Sequence, residues 1–171
     1  MDLKIKRYAT FDDLVVYCRR AAVTVGLHCL KIFDADTPQN RLYADKLGIA
    51  MQLVNIIRDV QEDYQRDRIY LPQDEMANFN VTELCLGKTE PNESVKKLLL
   101  FQSQRAFEYF AEAENIIAQN LRRKLLGARI MAAIYSCLLQ KIVSSNNMFQ
   151  KAKITPIEKF WIGLRLYLSK G

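Results

Sequence analysis

Apolar residues recur every three to four positions along most of the chain, and almost nowhere do they alternate. Leu14, Val15, Ala21, Ala22, Val25 and Ile32 share one helical face. Thr10-Phe11-Asp12-Asp13 precedes them as a capping start, with Asp13 at the third position. The spacing predicts one helix over residues 11–33. Asp34-Ala35-Asp36-Thr37-Pro38 breaks it, and Thr37 followed by Pro38 starts a second helix, expected over 38–66. Ile69-Tyr70-Leu71-Pro72 reads as a short extended exit. Gly87 and Pro91 punctuate short helical pieces between 73 and 92. Leu98, Phe101, Ala106, Phe110, Ala113 and Ile117 form the stripe of a long helix over 93–121. Further helices are expected over 125–144 and, from the capping box Thr155-Pro156-Ile157-Glu158, to 169. No segment reads as a strand and no repeat is visible. The expected fold class is all-α, a single domain of packed helices over residues 1–171.

The second helix is unusual. At about 100° per residue, Gln52, Asn55, Asp59, Asp63 and Arg66 fall within an arc of roughly 80°, with Gly48 in the same arc. Around them stand Leu47, Ile49, Ala50, Leu53, Val54, Ile56, Ile57 and Val60. A surface helix has a wide polar face; here the proportions are reversed. The helix should be mostly buried, with its polar strip lining a cavity. Asp59 and Asp63 lie one turn apart and repel each other, and burying both is costly without a countercharge. A hard divalent cation resolves that conflict. Mg²⁺ takes one or two protein carboxylates and fills its shell with water and phosphate oxygens. Arg58, Arg66 and Arg68 flank the acids and suit phosphate oxygens. The plainer reading of acids and arginines at helical spacing is a solvated, salt-bridged face.

Composition narrows the field. Half of the 171 residues are hydrophobic, which excludes global disorder and provides for a core. Lys plus Arg exceeds Asp plus Glu by 25 to 19, a net +6. That excess suits an anionic ligand, nucleic acid or an acidic membrane surface alike. His28 is the single histidine, so a zinc site or a Ser-His-Asp triad has little to work with. Cys18, Cys29, Cys85 and Cys137 lack C-x-x-C spacing and read as small hydrophobes, consistent with a reducing cytoplasm. Neither a signal peptide nor an uninterrupted apolar run of about 18–20 residues is visible.

The run Leu47-Gly48-Ile49-Ala50-Met51-Gln52-Leu53-Val54-Asn55-Ile56-Ile57-Arg58-Asp59-Val60-Gln61-Glu62-Asp63, followed by Arg68-Ile69-Tyr70-Leu71-Pro72, resembles the second aspartate-rich signature of the squalene/phytoene synthase family. Tyr17-Cys18 with Val25-Gly26 resembles an upstream helix of that family. Met131-Ala132-Ala133-Ile134-Tyr135 and the stretch from Lys159 to Arg165 resemble its C-terminal part. The likeness is greatest to the bacterial presqualene diphosphate synthase branch. It implies the isoprenoid synthase fold, a helix barrel around a cavity, of which this chain would be the C-terminal part. It implies head-to-head condensation of two farnesyl diphosphates with Mg²⁺ as cofactor. By position, it implies Asp59, Asp63 and Asn55 as metal ligands and Gln52, Arg58, Arg66, Arg68 and Tyr135 as substrate-binding residues. Tyr17 joins Asp59, Asp63 and Asn55 in the catalytic set. Tyr17 and Tyr135 also fit as packed core tyrosines.

The family carries two aspartate motifs on facing helices, and only the second is complete here. Met1-Asp2 resembles the tail of the first, which makes Asp2 a further expected metal ligand. The resemblance implies that the N-terminal third or so of the usual family chain would lie before residue 1. A separately encoded N-terminal fragment is therefore an expected partner, beside farnesyl diphosphate or a similar isoprenoid diphosphate. A non-catalytic remnant, or one helical subunit of a split synthase, is the competing reading. Nucleic acid is not expected as a partner. Val23 stands where the family has a small residue and is expected to crowd the cavity. Asp67 stands where glycine is common, as an added carboxylate or a turn cap. The last helix, with Ile157, Phe160, Trp161, Leu164 and Leu168 beside Lys159, Arg165 and Lys170, either closes the core or lies on a membrane. Its spacing favours closing the core.

Overall fold

The computed structural model describes residues 5–117 and 121–169. Among these the elements are helices and turns. Helix α1 (Phe11–Cys18) runs through a π-helical segment (Arg19–Val23) into α2 (Thr24–Ile32). The long α3 (Pro38–Gln65), the short α4 (Gln73–Asn78) and α5 (Glu83–Leu86), then α6 (Glu93–Ile116), α7 (Leu126–Val143) and α8 (Pro156–Leu168) complete the order. An isolated parallel bridge joins Arg7 to Ile69.

The helix starts follow from side chains that satisfy otherwise orphaned N–H groups. Thr10 and Asp13 form a reciprocal capping box, as do Thr155 and Glu158. Thr37 accepts from the Asn40 N–H ahead of Pro38 at the first turn. Asn92, which the sequence pattern left unremarked, caps α6 by accepting from Val95.

α3 is the axis of the molecule and packs on α1, α2, α5, α6, α7 and the π-helical segment. Twelve of its residues are buried, among them Leu47, Ile49, Leu53, Val54, Ile57 and Val60. The reversed proportion of polar to apolar surface is what this placement requires, because packing of apolar faces, not propensity, supplies most helix stability. α6 lies alongside with Leu98 and Leu99 fully buried. Glu75 of α4 is held in the core by Arg105 of α6 at 2.6 and 3.1 Å and by Gln102. The Arg105 guanidinium lies 3.8 Å above the Phe11 ring. The chain entering α1 is tied to the exit from α3: Ile69 N–H donates to Lys6 O at 2.9 Å and Gln73 N–H to Tyr8 O at 2.9 Å.

Four expectations change. The single helix over 11–33 is interrupted at Arg19–Val23, where the backbone widens by one residue per turn. Val23 does not crowd a cavity; it is buried against Gly48. α6 ends at Ile116, with Ile117 extended, and residues 118–120 of the expected longer helix lie outside the described residues. α8 does not close the core: none of its residues is buried, because it packs on α7 along one side only. α7 is long and apolar enough to cross a membrane by length and composition, yet it contacts α3, α6 and α8. Its buried Arg129 faces Glu114 at 3.6 Å.

Candidate active site

Seven helical turns of α3 carry the apolar core on most of their circumference and the polar line on the remainder. That line begins at Tyr17. Gln52 Nε2 donates to the Tyr17 hydroxyl at 3.2 Å, and Asn55 Nδ2 donates to Gln52 Oε1 at 3.4 Å. This arrangement leaves Asn55 Oδ1 available as a donor atom for a cation. One turn on, the Arg58 guanidinium grips both oxygens of Asp59, with Nε to Oδ1 at 2.8 Å. The fork is charge-assisted and bidentate, and this pairing holds Arg58 above its usual range.

Asp63 completes the line. Burial raises its carboxyl to about 6, and the neighbouring Asp59 charge adds to the rise, while Arg66 and Arg68 oppose it. Among the described residues no hydrogen bond or ion pair holds that carboxylate. Arg66 is exposed at the end of α3 and Arg68 is half-buried beyond it. Asp67, between them, adopts φ 57° and pairs with Lys6 and with Arg7 at 2.9 Å. Asp67 is thus a left-handed turn residue on the outside, and glycine suits that position because it adopts positive φ without steric cost.

Several cavities adjoin the line, and two of them are large. The first, about 410 Å³, runs between α2, α3 and α7 and is mostly apolar, with Ala22, Gly26, Met51 and Met131 in its wall and Gln52 and Asn55 at one end. The second, about 510 Å³, lies between α7 and the start of α8. Arg58, Tyr135, Lys151, Lys153 and Lys159 surround it, and Met131 lines both. Arg58 therefore joins Asp59 on one side to a cationic hollow on the other.

Two features of this site were not predicted. Tyr17 stacks on Tyr70 with centroids 4.9 Å apart, and Tyr8 lies 5.5 Å from Tyr17 and 5.7 Å from Tyr70. Tyr70 was visible in Arg68-Ile69-Tyr70-Leu71-Pro72; Tyr8 carried no pattern. The lysines at 151, 153 and 159 are scattered in sequence and converge only through the turn before α8. Lys151 also pairs with Glu62. Of the expected residues, Tyr17, Gln52, Asn55, Asp59 and Asp63 lie along this line, Arg58 grips Asp59 beside it, and Tyr135 lines the second cavity with Arg58. Arg66 and Arg68 sit at the end of the line, and Asp2 lies outside the described residues. Cys18, next to Tyr17, is fully buried, and burial raises its thiol to about 12. It packs rather than reacts.

A divalent cation fits the donor set. Asn55, Asp59 and Asp63 offer hard oxygen atoms on one face, and the unpaired, half-buried Asp63 lacks the countercharge that its surroundings favour. No cluster of three or more His, Cys, Asp or Glu side chains suited to a metal occurs among the described residues. The acid pair with its amide neighbour is thus a partial shell, of the kind that Mg²⁺ completes with water and phosphate oxygens.

An all-α bundle with these signatures defines an isoprenoid synthase fold, and comparisons with known proteins agree. The family model for squalene/phytoene synthase matches residues 1–158, and the chain belongs to that family. It is 47% identical over 131 residues to a phytoene synthase of Arthrospira platensis, covering 69% of this chain and 42% of that protein. It is 37% identical over 169 residues to a 15-cis-phytoene synthase of Synechococcus elongatus, covering 91% and 55%. A dehydrosqualene synthase crystal structure matches with a TM-score of 0.78 at 29% identity, covering 98% of this chain and 60% of that one. A squalene synthase from Alicyclobacillus acidocaldarius matches with a TM-score of 0.71 at 28% identity, covering 82% and 54%. These two curated relatives are phytoene synthases at 47% and 37% identity, and the squalene-type likenesses are solved structures at 28–29%. The chain spans about half the length of the curated relatives it matches.

Proposed function

We propose that this chain carries one wall of a head-to-head isoprenyl diphosphate synthase, and that it acts on farnesyl diphosphate or a similar isoprenyl diphosphate. The observation that carries the reading is the line Tyr17–Gln52–Asn55–Asp59–Asp63, whose Gln52 and Asn55 face an apolar cavity and whose Asp59 is held by Arg58 from the wall of a cationic hollow. Asn55, Asp59 and Asp63 would hold Mg²⁺. When bound, Mg²⁺ supplies positive charge to the departing diphosphate. Arg58, Lys151 and Lys159 supply further cationic charge for phosphate oxygens. The wall of Ala22, Gly26, Met51 and Met131 takes the hydrocarbon and keeps water from an allylic cation. The half-buried Tyr17 ring, at the head of the line, offers quadrupolar stabilisation to such a cation.

The test is Mg²⁺-dependent pyrophosphate release from farnesyl diphosphate. Release that disappears in Asp59→Asn supports the reading; salt-sensitive ligand binding that needs no Mg²⁺ contradicts it.

A second reading is one subunit of a split synthase, or a non-catalytic remnant. It is favoured by the apolar cavity's open side, where Val25 and Phe33 are exposed, and by the exposed Val16 and Ile32 elsewhere on the same N-terminal helices. Helices from an N-terminal fragment would cover that face and bring further carboxylates opposite Asp59. Titration calorimetry with Mg²⁺ and pyrophosphate separates the cases. Binding without turnover, with turnover restored by such a fragment, supports the split enzyme. Absence of binding supports the remnant.

A further inference from the structure

We propose that Met131 is the threshold between the two large cavities and selects the hydrocarbon that passes from one to the other. The inference rests on the reading above, in which the cationic hollow takes the charged end of a ligand and the apolar cavity takes its chain. Both cavities have walls on α3 and α7, which pack on each other. Along α7, Leu125 and Ala128 line the apolar cavity, whereas Ile134 and Tyr135 line the cationic hollow. Met131 stands between these two groups and lines both cavities. On α3 the same change falls within one turn, from Asn55 to Arg58. A ligand with its charged end beside Arg58 and its chain in the apolar cavity therefore passes over Met131.

The side chain at this position suits a selector. Met131 is 43% exposed, so close packing does not hold it in one shape. Methionine is unbranched, with three rotatable bonds and a polarizable thioether, and it adapts to an apolar chain laid across it. Its sulfur is only a weak acceptor, so a hydrocarbon over it leaves no strong polar group unsatisfied. The residues on either side differ in this respect: Ala128 is short, and Tyr135 carries a hydroxyl. A large ring at 131 would fill the passage and part the two cavities, whereas alanine would open it. The size of residue 131 thus governs how much a hydrocarbon tail adds to the binding of its diphosphate. It leaves the binding of the diphosphate alone unchanged.

The test is calorimetric titration of the full chain, in Mg²⁺, with pyrophosphate and separately with farnesyl diphosphate. The parent is compared with Met131→Trp and Met131→Ala, and the readout is the ratio of the two dissociation constants. The parent should bind farnesyl diphosphate the more tightly. In Met131→Trp that advantage should fall about tenfold or more, because keeping about two methylene groups out of the apolar cavity already costs that factor. Pyrophosphate binding should stay as in the parent. Met131→Ala should keep the advantage or increase it. Circular dichroism verifies folding, and Met131→Phe repeats the test with a smaller ring where Met131→Trp does not fold. The same ratio in all variants overturns the proposal. So does equal weakening of both probes in Met131→Trp, or a ratio that falls as far in Met131→Ala. A parent that binds pyrophosphate and gains nothing from the farnesyl chain overturns the proposal and leaves the diphosphate reading standing. A parent that binds neither overturns that reading, and the proposal with it.

Discussion

Val23 lies directly on the bare face of Gly48: a Cβ built on Gly48 would stand 2.8 Å from Val23 Cγ2 and 3.0 Å from Val23 Cα. The contact locks the π-helical segment against α3 one turn before Gln52. Gly48→Ala should therefore destabilise the chain by about 1–3 kcal/mol. Adding Val23→Ala should recover part of that loss, since the backbone atoms of Val23 remain close. Thermal denaturation of the single and double variants measures both effects. A fully tolerated Gly48→Ala would contradict this packing.

The Tyr17 hydroxyl accepts from Gln52, and its ring stacks on Tyr70. Tyr17→Phe keeps the stack and removes one acceptor, for a cost of about 1 kcal/mol. Tyr17→Ala leaves a hole between Tyr8 and Tyr70 and should cost roughly 3 kcal/mol. Denaturant unfolding ranks the two variants; equal losses would mean that the ring contributes little.

Asp63 should trade stability for metal binding. Its folded pKa, about 6, is raised from 3.8, so ionising it in the metal-free fold is unfavourable. That destabilisation is absent below pH 4, grows as pH rises, and is complete above about 6. Asp63→Asn should thus stabilise the metal-free chain near neutral pH. The rise from 3.8 to about 6 would give roughly 3 kcal/mol unscreened, and partial exposure reduces it to about 1 kcal/mol. Adding Mg²⁺ should raise the Tm of the parent chain more than that of the variant. Calorimetry with and without Mg²⁺ checks both halves.

Glu158 titrates in the opposite sense. The Lys141 ammonium and the Thr155 hydrogen bonds hold it at about 2, below its ordinary 4.5. Its contribution is full above pH 4.5 and is lost as pH falls through about 2. Glu158→Gln should loosen α8 above pH 5, and the difference from the parent should close between pH 4.5 and 2. Trp161 emission during a pH titration follows this locally.

The caps at Thr10, Thr37 and Thr155 and the burial of α3 were legible in the sequence, because capping and periodicity are local rules. The polar line was legible for the same reason: one helix holds Gln52 to Asp63 in register. The π-helical segment was not, since Ala21, Ala22 and Val25 continue an ordinary helical stripe. Only the distant Gly48 shows why Val23 is displaced. Tyr8 and the lysines at 151, 153 and 159 reach the site through long-range turns that no spacing encodes. α8 misled because Ile157, Phe160, Trp161, Leu164 and Leu168 have the periodicity of a core stripe. Periodicity says that a face is apolar and leaves its partner open.

α3 has a metric consequence. Gln52 and Asp63 sit on one unbroken helix, eleven positions apart, so the rise per residue sets their axial separation at about 16 Å. No loop or hinge intervenes. The helix is a ruler: it fixes how far the charged end of a ligand stands from its hydrocarbon, whatever the surrounding helices do. Substitutions that respect the ruler change what the cavity holds. One inserted or deleted residue between the two positions would turn the acids about 100° away from the line and put them into the core.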